Sequence, residues 1–190
     1  MARLSAPAGS GEGGIYLGLG SNLGDRRTSL ATGLQRLQRL GVVPVRCSPI
    51  YLTEAVARSP QPDFLNLVVE VRTMLLPGAL LTAMQEVEVA LGRPARRAAG
   101  GPSPRTLDID LLLYRDRILR SRRLSVPHLR LHLRRFMLRP LADLDASIVV
   151  PGTGRTVASH LALCPDRAAV TPYLPAPALP TAGGRARPQP

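Results

Sequence analysis

The sequence predicts an α+β domain, a mainly antiparallel, ferredoxin-like sheet with helices packed on it, and three observations lead to that class. Apolar residues alternate at period two through Leu65, Leu67, Val69 and Val71, and again through Leu107, Ile109, Leu111 and Leu113, as strands with one buried face do. Others recur at helical spacing, in Leu30, Leu34, Leu37 and Leu40 and in Leu80, Met84, Val87 and Leu91. Taken with the shorter segments between them, the order is β-α-β-β-α-β, which folds into a sheet of this kind. A chain of 190 residues with 45% apolar content can bury one such core. That domain is placed at residues 15–171, between a flexible leader (1–14) and a disordered Pro/Ala/Gly-rich tail (172–190).

Ile15 to Leu19 forms the first strand, and Gly20-Ser21-Asn22-Leu23-Gly24-Asp25 supplies a sharp exit and a helix cap. Glycines 18, 20 and 24 suggest a dinucleotide-binding turn, but that turn requires an acid about 20 positions further on. Residues 38–46 contain none, which excludes it. Gly41 ends the first helix. Val42 to Thr53 reads as a second strand, and Pro44 and Pro49 make it irregular or place it at an edge. Glu54 to Asp63 has no periodicity and two prolines, hence a loop of functional length. After the third strand, Pro77 opens the second helix and Gly92 stops it. Arg93 to Pro104, rich in Arg, Ala, Gly and Pro, is expected to be a mobile loop feeding the strand that starts near Arg105. Beyond it come a short strand over Ile118–Val126, a short helix over Leu131–Leu141 and a last strand at Ile148–Val150.

Composition removes several function classes. The formal net charge is +12, yet the chain has no lysine, so all 25 basic residues are arginine. A P-loop lysine, a Schiff-base lysine and a kinase-type lysine are thereby excluded, and phosphate chemistry must run on arginine, backbone amides and metal. Aromatics at 3% leave few stacking platforms for single-stranded nucleic acid, so no nucleic-acid partner is expected despite the charge. Cys47 and Cys164 form no CxxC or Cys/His cluster, which gives neither a zinc site nor a disulfide framework and fits the cytoplasm. No run of residues reaches the length of a membrane span.

The acidic strand is the feature a core would not choose. Asp108 and Asp110 share one face of it, with α carbons about 6 to 7 Å apart. Two like charges at that separation are unfavourable without a cation, and carboxylate oxygens with water and phosphate completing the shell suit Mg²⁺. An isolated Asp-x-Asp is more often a strand end whose acids are solvated or paired with arginine, so the surrounding motifs decide.

Those motifs are Gly20-Ser21-Asn22, Gln61-Pro62-Asp63-Phe64-Leu65-Asn66, Gln85 with Glu88, Leu91-Gly92-Arg93, Arg105-Thr106-Leu107-Asp108-Ile109-Asp110, Val126-Pro127-His128, and Arg134 with Phe136. In this order and spacing, from about Ile15 to Leu161, the chain closely resembles the 6-hydroxymethyl-7,8-dihydropterin pyrophosphokinases of folate synthesis. The resemblance implies transfer of the β,γ-diphosphate of ATP to the pterin hydroxymethyl oxygen, with release of AMP. It implies catalytic roles for Arg93, Arg105, Asp108 and Asp110, the two acids holding two Mg²⁺ ions. Nucleotide contacts would come from Leu81 and Leu111 on adenine, Gln85 and Glu88, the phosphate clamps Arg93, Arg105, Arg123 and Arg134, and Ser125 with His128. The pterin would be read by Asn66, stacked between Phe64 and Phe136, and closed in by Thr53 and the backbone around Val56. ATP and the hydroxymethyldihydropterin are then the only partners, of a monomer. The family usually runs Gly-Pro-Arg into the acidic strand, where this chain has Gly101-Pro102-Ser103-Pro104-Arg105; Ala95 stands where an arginine is common, and residues 94–104 hold no aromatic. A metal-dependent nucleotidyltransferase also pairs a Gly-Ser turn with an Asp-x-Asp strand, but its turn lies shortly before the acids, whereas Gly20-Ser21 lies far upstream of Asp108.

Overall fold

A computed structural model describes residues 13–55, 61–93 and 104–180. The chain forms β1 (Ile15–Ser21), α1 (Arg26–Arg39), β2 (Val43–Cys47), β3 (Ile50–Thr53), β4 (Phe64–Arg72), α2 (Pro77–Ala90) and β5 (Asp108–Tyr114). It continues through a hairpin of β6 (Leu119–Arg120) and β7 (Ser125–Val126), a 3-10 turn at Leu131–Leu133, α3 (Arg135–Asp145), the short pair β8 (Val149–Val150) and β9 (Arg155–Thr156), α4 (Val157–Leu163) and β10 (Val170–Leu174). The main sheet has the order β10-β3-β4-β1-β5, with β2 also on β4, and every pair in it is antiparallel. It is the α+β, mainly antiparallel arrangement that the element order predicts.

Strand alternation divides the interior into two cores. Leu17, Leu19, Leu67, Ile109 and Leu111 point to the face covered by α1 and α2, where they meet Leu30, Leu34, Leu37, Leu80, Met84 and Val87. Tyr16, Val68 and Leu112 point to the opposite face and pack with Met137, Leu138 and Leu141 of α3, and with Val157 and Cys164. Asp25 caps α1 by accepting from the Thr28 amide at 3.1 Å, and Pro77 occupies the first turn of α2, where a missing N–H costs nothing.

Several elements differ from the sequence reading. The strand expected over Val42–Thr53 is two strands, split at Ser48-Pro49, and the buried Ser48 hydroxyl accepts from the Val68 amide at 3.0 Å across the break. The helix expected over Leu131–Leu141 starts as a 3-10 turn and runs to Asp145, with Pro140 inside it, because Leu141 and Leu144 continue its apolar face onto the sheet. The single strand expected over Ile118–Val126 is instead a hairpin, in which Leu119 pairs with Val126 and Arg120 with Ser125. Neither α4 nor β10 was expected. Residues 172–174, expected in the tail, form strand instead: Pro172 and Leu174 belong to β10, which lies along β3, and Leu174 packs against the first core. An edge strand tolerates Pro172, since a proline lacks only the donor that would face outward. Residues 175–180 have no regular structure, whereas 1–12 of the leader and 181–190 of the tail lie outside the described residues. Among the described residues no helix is long and apolar enough to cross a membrane.

Candidate active site

The site is built on the register of β1. Gly18 stands opposite Asp110 and Gly20 opposite Asp108, while on the other side Gly20 stands opposite Asn66. The same face of the sheet therefore carries two carboxylates, two residues without side chains and an amide. A Cβ placed on Gly20 would lie 2.5 Å from Asn66 Oδ1, so only glycine leaves that amide where it is. Two glycines at period two facing two acids at period two are a signal in the sequence, but one that register alone reveals.

Asp108 is held by two guanidiniums. Its Oδ1 accepts from Arg93 Nη1 at 2.7 Å and its Oδ2 from Arg105 Nη1 at 2.9 Å. Arg93 also donates to Glu88, whose Oε1 accepts from the Ile109 amide at 2.8 Å, so a buried acid of α2 ties the arginine to β5. Asp110 has weaker company: Arg134 Nη1 is 3.6 Å away and His128 Nε2 3.8 Å, both beyond a good hydrogen bond. Burial, and then the Asp108 charge, push its carboxyl up to about 6. Glu88 is pushed up to about 7, again chiefly by burial. His128 goes the other way, down to about 4, through burial and the neighbouring Arg134 and Arg130. Its Nδ1 accepts from the Arg130 amide at 3.3 Å, which leaves the proton of the neutral ring on Nε2, facing Asp110.

Two cavities meet at the acids. The first, about 610 Å³, is lined by Thr53, Phe64, Asn66, Phe136, Arg105 and Arg134 among others. Asn66 Nδ2 donates to Thr53 Oγ1 at 2.7 Å, and the Arg134 guanidinium carbon sits 5.5 Å from the centre of the Phe136 ring. The second, an open groove of about 1060 Å³ between α2, β5 and the β6–β7 hairpin, is lined by Leu81, Gln85, Glu88, Arg93, Leu111, Arg123, Ser125 and His128. Asp108 and Asp110 line both. The sequence-predicted residues thus fall into two groups about one shared wall. Arg105 and Arg134 line the first cavity and not the second. Val56 and loop residues 94–103 lie outside the described residues.

Sequence reasoning gave no site role to Gly18, Gly20 or Arg130, and it missed Asp166, which lines the first cavity from beyond α4. Asp166 Oδ2 accepts from the Arg135 amide at 3.1 Å and so caps α3 from a distant part of the chain. Nothing near Asp166 in the sequence carries a motif that would have found it.

As a cation site the acids fit a hard ion. Asp108 and Asp110 offer carboxylate oxygens into the space where the cavities meet, and burial together with the Asp108 charge already raises the Asp110 carboxyl. Among the described residues there is no cluster of three or more His, Cys, Asp or Glu able to hold a metal by protein ligands alone. Two carboxylates with the remaining positions left to water and phosphate are the coordination Mg²⁺ prefers.

Residues 16–146 match the family described as 7,8-dihydro-6-hydroxymethylpterin-pyrophosphokinase (HPPK). The chain is 39% identical over 152 residues to a 2-amino-4-hydroxy-6-hydroxymethyldihydropteridine pyrophosphokinase of Pseudomonas aeruginosa, covering 80% of this chain and 91% of that one. It is 42% identical over 130 residues to the protein of the same description from Bacillus subtilis, covering 68% and 76%. It is also 37% identical over 153 residues to the folic acid synthesis protein fol1 of Schizosaccharomyces pombe, 80% of this chain but only 20% of that much longer one. Among solved structures, an HPPK-DHPS in complex with substrates shares the fold, with a TM-score of 0.61 at 13% identity over 81% of this chain and 43% of that one.

Proposed function

The chain belongs to the 7,8-dihydro-6-hydroxymethylpterin-pyrophosphokinase family, and from that premise we propose how its own residues carry out the reaction. The activity is transfer of the pyrophosphoryl group of ATP to 6-hydroxymethyl-7,8-dihydropterin in folate synthesis. The hydroxymethyl oxygen attacks the β-phosphorus, the bond from that phosphorus to the α-phosphate oxygen breaks, and AMP leaves. The observation that supports the assignment of roles is the wall shared by the two cavities: Asp108 and Asp110 are open to both.

In this reading the open groove takes ATP and the smaller cavity takes the pterin. Leu81 and Leu111 pack on adenine, and Gln85 lies beside it. Arg93, Arg105, Arg123 and Arg134 donate to phosphate oxygens, for which planar guanidinium forks are suited. Arg93 reaches its place because Glu88 anchors it to the backbone of β5. Ser125 and the Nε2–H of His128 complete the donors. Asp108 and Asp110 would hold two Mg²⁺ ions, which supply charge neutralisation to the triphosphate when bound. On the acceptor side Phe64 and Phe136 stack on the pterin. The Thr53 hydroxyl fixes the Asn66 amide, so its oxygen and second N–H can read the ring edge. The protein would act as a cytoplasmic monomer with small-molecule partners alone.

Incubation with ATP and 6-hydroxymethyl-7,8-dihydropterin, with and without Mg²⁺, tests the assignment directly. AMP should form in a Mg²⁺-dependent manner, whereas release of inorganic pyrophosphate would show nucleotidyl transfer and overturn it.

A further inference from the structure

Asn22 belongs to a motif that the roles above leave unused. It follows β1, it is 1% exposed, and its side chain reaches two segments that do not otherwise touch it in sequence. Asn22 Oδ1 accepts from the Arg105 backbone amide at 2.8 Å, and the backbone N–H of Asn22 donates to the Arg105 carbonyl at 3.1 Å. Asn22 Nδ2 donates to the Pro62 carbonyl at 3.2 Å and to Gln61 Oε1 at 3.4 Å. Arg105 starts the run into β5 and places a guanidinium on Asp108, while Gln61 and Pro62 start the run into β4 that carries Phe64 and Asn66. One buried amide therefore fixes the entrances of the phosphate-side strand and the acceptor-side strand relative to each other.

We propose that Asn22 is a positioning residue that couples the two substrate halves of the site, holding Arg105 and the 61–66 segment in one register across β1. A buried Asn has four hydrogen-bonding positions, and here the acceptor serves one half of the site and the donors serve the other. Its role is indirect: it lines neither cavity and touches neither Asp108 nor Asp110. The amide is the right group because an acceptor and a donor must stand on one short, planar head. A carboxylate or a hydroxyl of similar size supplies only part of that set. Arg26 Nη1, donating to the Asp63 carbonyl at 2.7 Å, holds the same segment from α1, so the segment stays attached when Asn22 changes.

The inference rests on the diphosphotransfer reading, and wild-type AMP formation tests that reading separately. Asn22→Asp keeps the shape and the acceptor for the Arg105 amide but turns an oxygen toward the Pro62 carbonyl. In the full-length protein it should raise the KM for the pterin about three- to tenfold, the loss of one or two modest hydrogen bonds, with the KM for MgATP within about twofold of wild type. Asn22→Ala removes both side-chain links, leaving only the backbone bond to the Arg105 carbonyl, and should also lower kcat, by about tenfold to a hundredfold, because Arg105 is then less firmly placed. Binding of 6-hydroxymethylpterin measured with and without a non-hydrolysable ATP analogue and Mg²⁺ gives the coupling. Its enhancement by nucleotide should shrink in both variants. A merely structural Asn22 would lower the folded fraction and leave both KM values and the enhancement unchanged, and that result overturns the proposal. Failure of both variants to fold overturns it as well, since the residue would then be an element of stability.

Discussion

Two acids two residues apart sit in different electrostatic settings, and their replacements should separate. Asp108 is paired with Arg93 and Arg105, whereas among the described residues the nearest guanidinium to Asp110, that of Arg134, is 3.6 Å away. Asp110→Asn should raise the apo Tm at pH 8 by about 2 to 4 °C, the shift that about 1 kcal/mol gives in a chain of this size. The folded carboxyl of Asp110 is raised from 3.8 to about 6, so its stabilising contribution is complete below the unfolded value and is lost as pH rises through about 6. At pH 4 the variant should accordingly match the wild type. Asp108→Asn should instead lower Tm at pH 8, because it leaves two guanidiniums facing an amide. Either variant should lose turnover by about a hundredfold or more, read as AMP. Equal Tm changes for the two variants would show that the arginines do not distinguish the acids. His128 gives a second check on the same site. With its folded value lowered from 6.5 to about 4, its contribution to stability is present above 6.5 and is lost as pH falls through about 4. Nitrogen-15 NMR of the apo protein should therefore show a neutral ring, protonated on Nε2, from pH 6 upward; an imidazolium signal at pH 6 would refute the burial argument.

At the scale of elements, the parts readable from sequence were those whose cause is local. The alternation in β4 and β5, the leucine spacing of α1 and α2, and the Pro77 and Gly92 boundaries all depend on residues a few positions apart, and all reappear in the structure. So do the two acids on one face, since period two is a property of one strand. What was not readable depends on chain crossings. Gly18 and Gly20 matter because of what lies opposite them, Asp166 because it returns to the start of α3, and β10 because β3 has a free edge to cover. The covering strand gives a paired expectation. Removal of residues 175–190 should leave Tm and AMP formation unchanged, whereas removal from Val170 onward should lower Tm and promote aggregation, because it bares a backbone ladder on β3. If both truncations melt like the full chain, β10 does not protect that edge. Asp166→Ala should cost about 1 kcal/mol in denaturant unfolding through loss of the cap on α3.

Across the whole molecule, the two thiols are covered to different extents, Cys47 being only partly buried against the first core. Cys164 is fully buried in the second core, and burial pushes Cys47 up to about 12, so almost none of it is thiolate at pH 8. A disulfide-exchange reagent at pH 8 should leave Cys164 unlabelled until denaturant unfolds the chain and should label Cys47 only slowly; prompt labelling of one equivalent would show that the Cys47 thiol is not held protonated. The topology also orders events in time. β1 is an interior strand of the sheet, yet both its partners lie later in the chain, β4 some 43 positions on at Phe64 and β5 at Asp108. During synthesis at about 5 to 20 residues per second, the strand waits several seconds for its first partner and on the order of ten seconds for its second. Through that interval its apolar residues have only α1 to shelter them. A nascent chain of this topology is therefore a natural client for a ribosome-bound chaperone, and synonymous changes that slow translation between Thr73 and Leu107 would lengthen the time that need lasts.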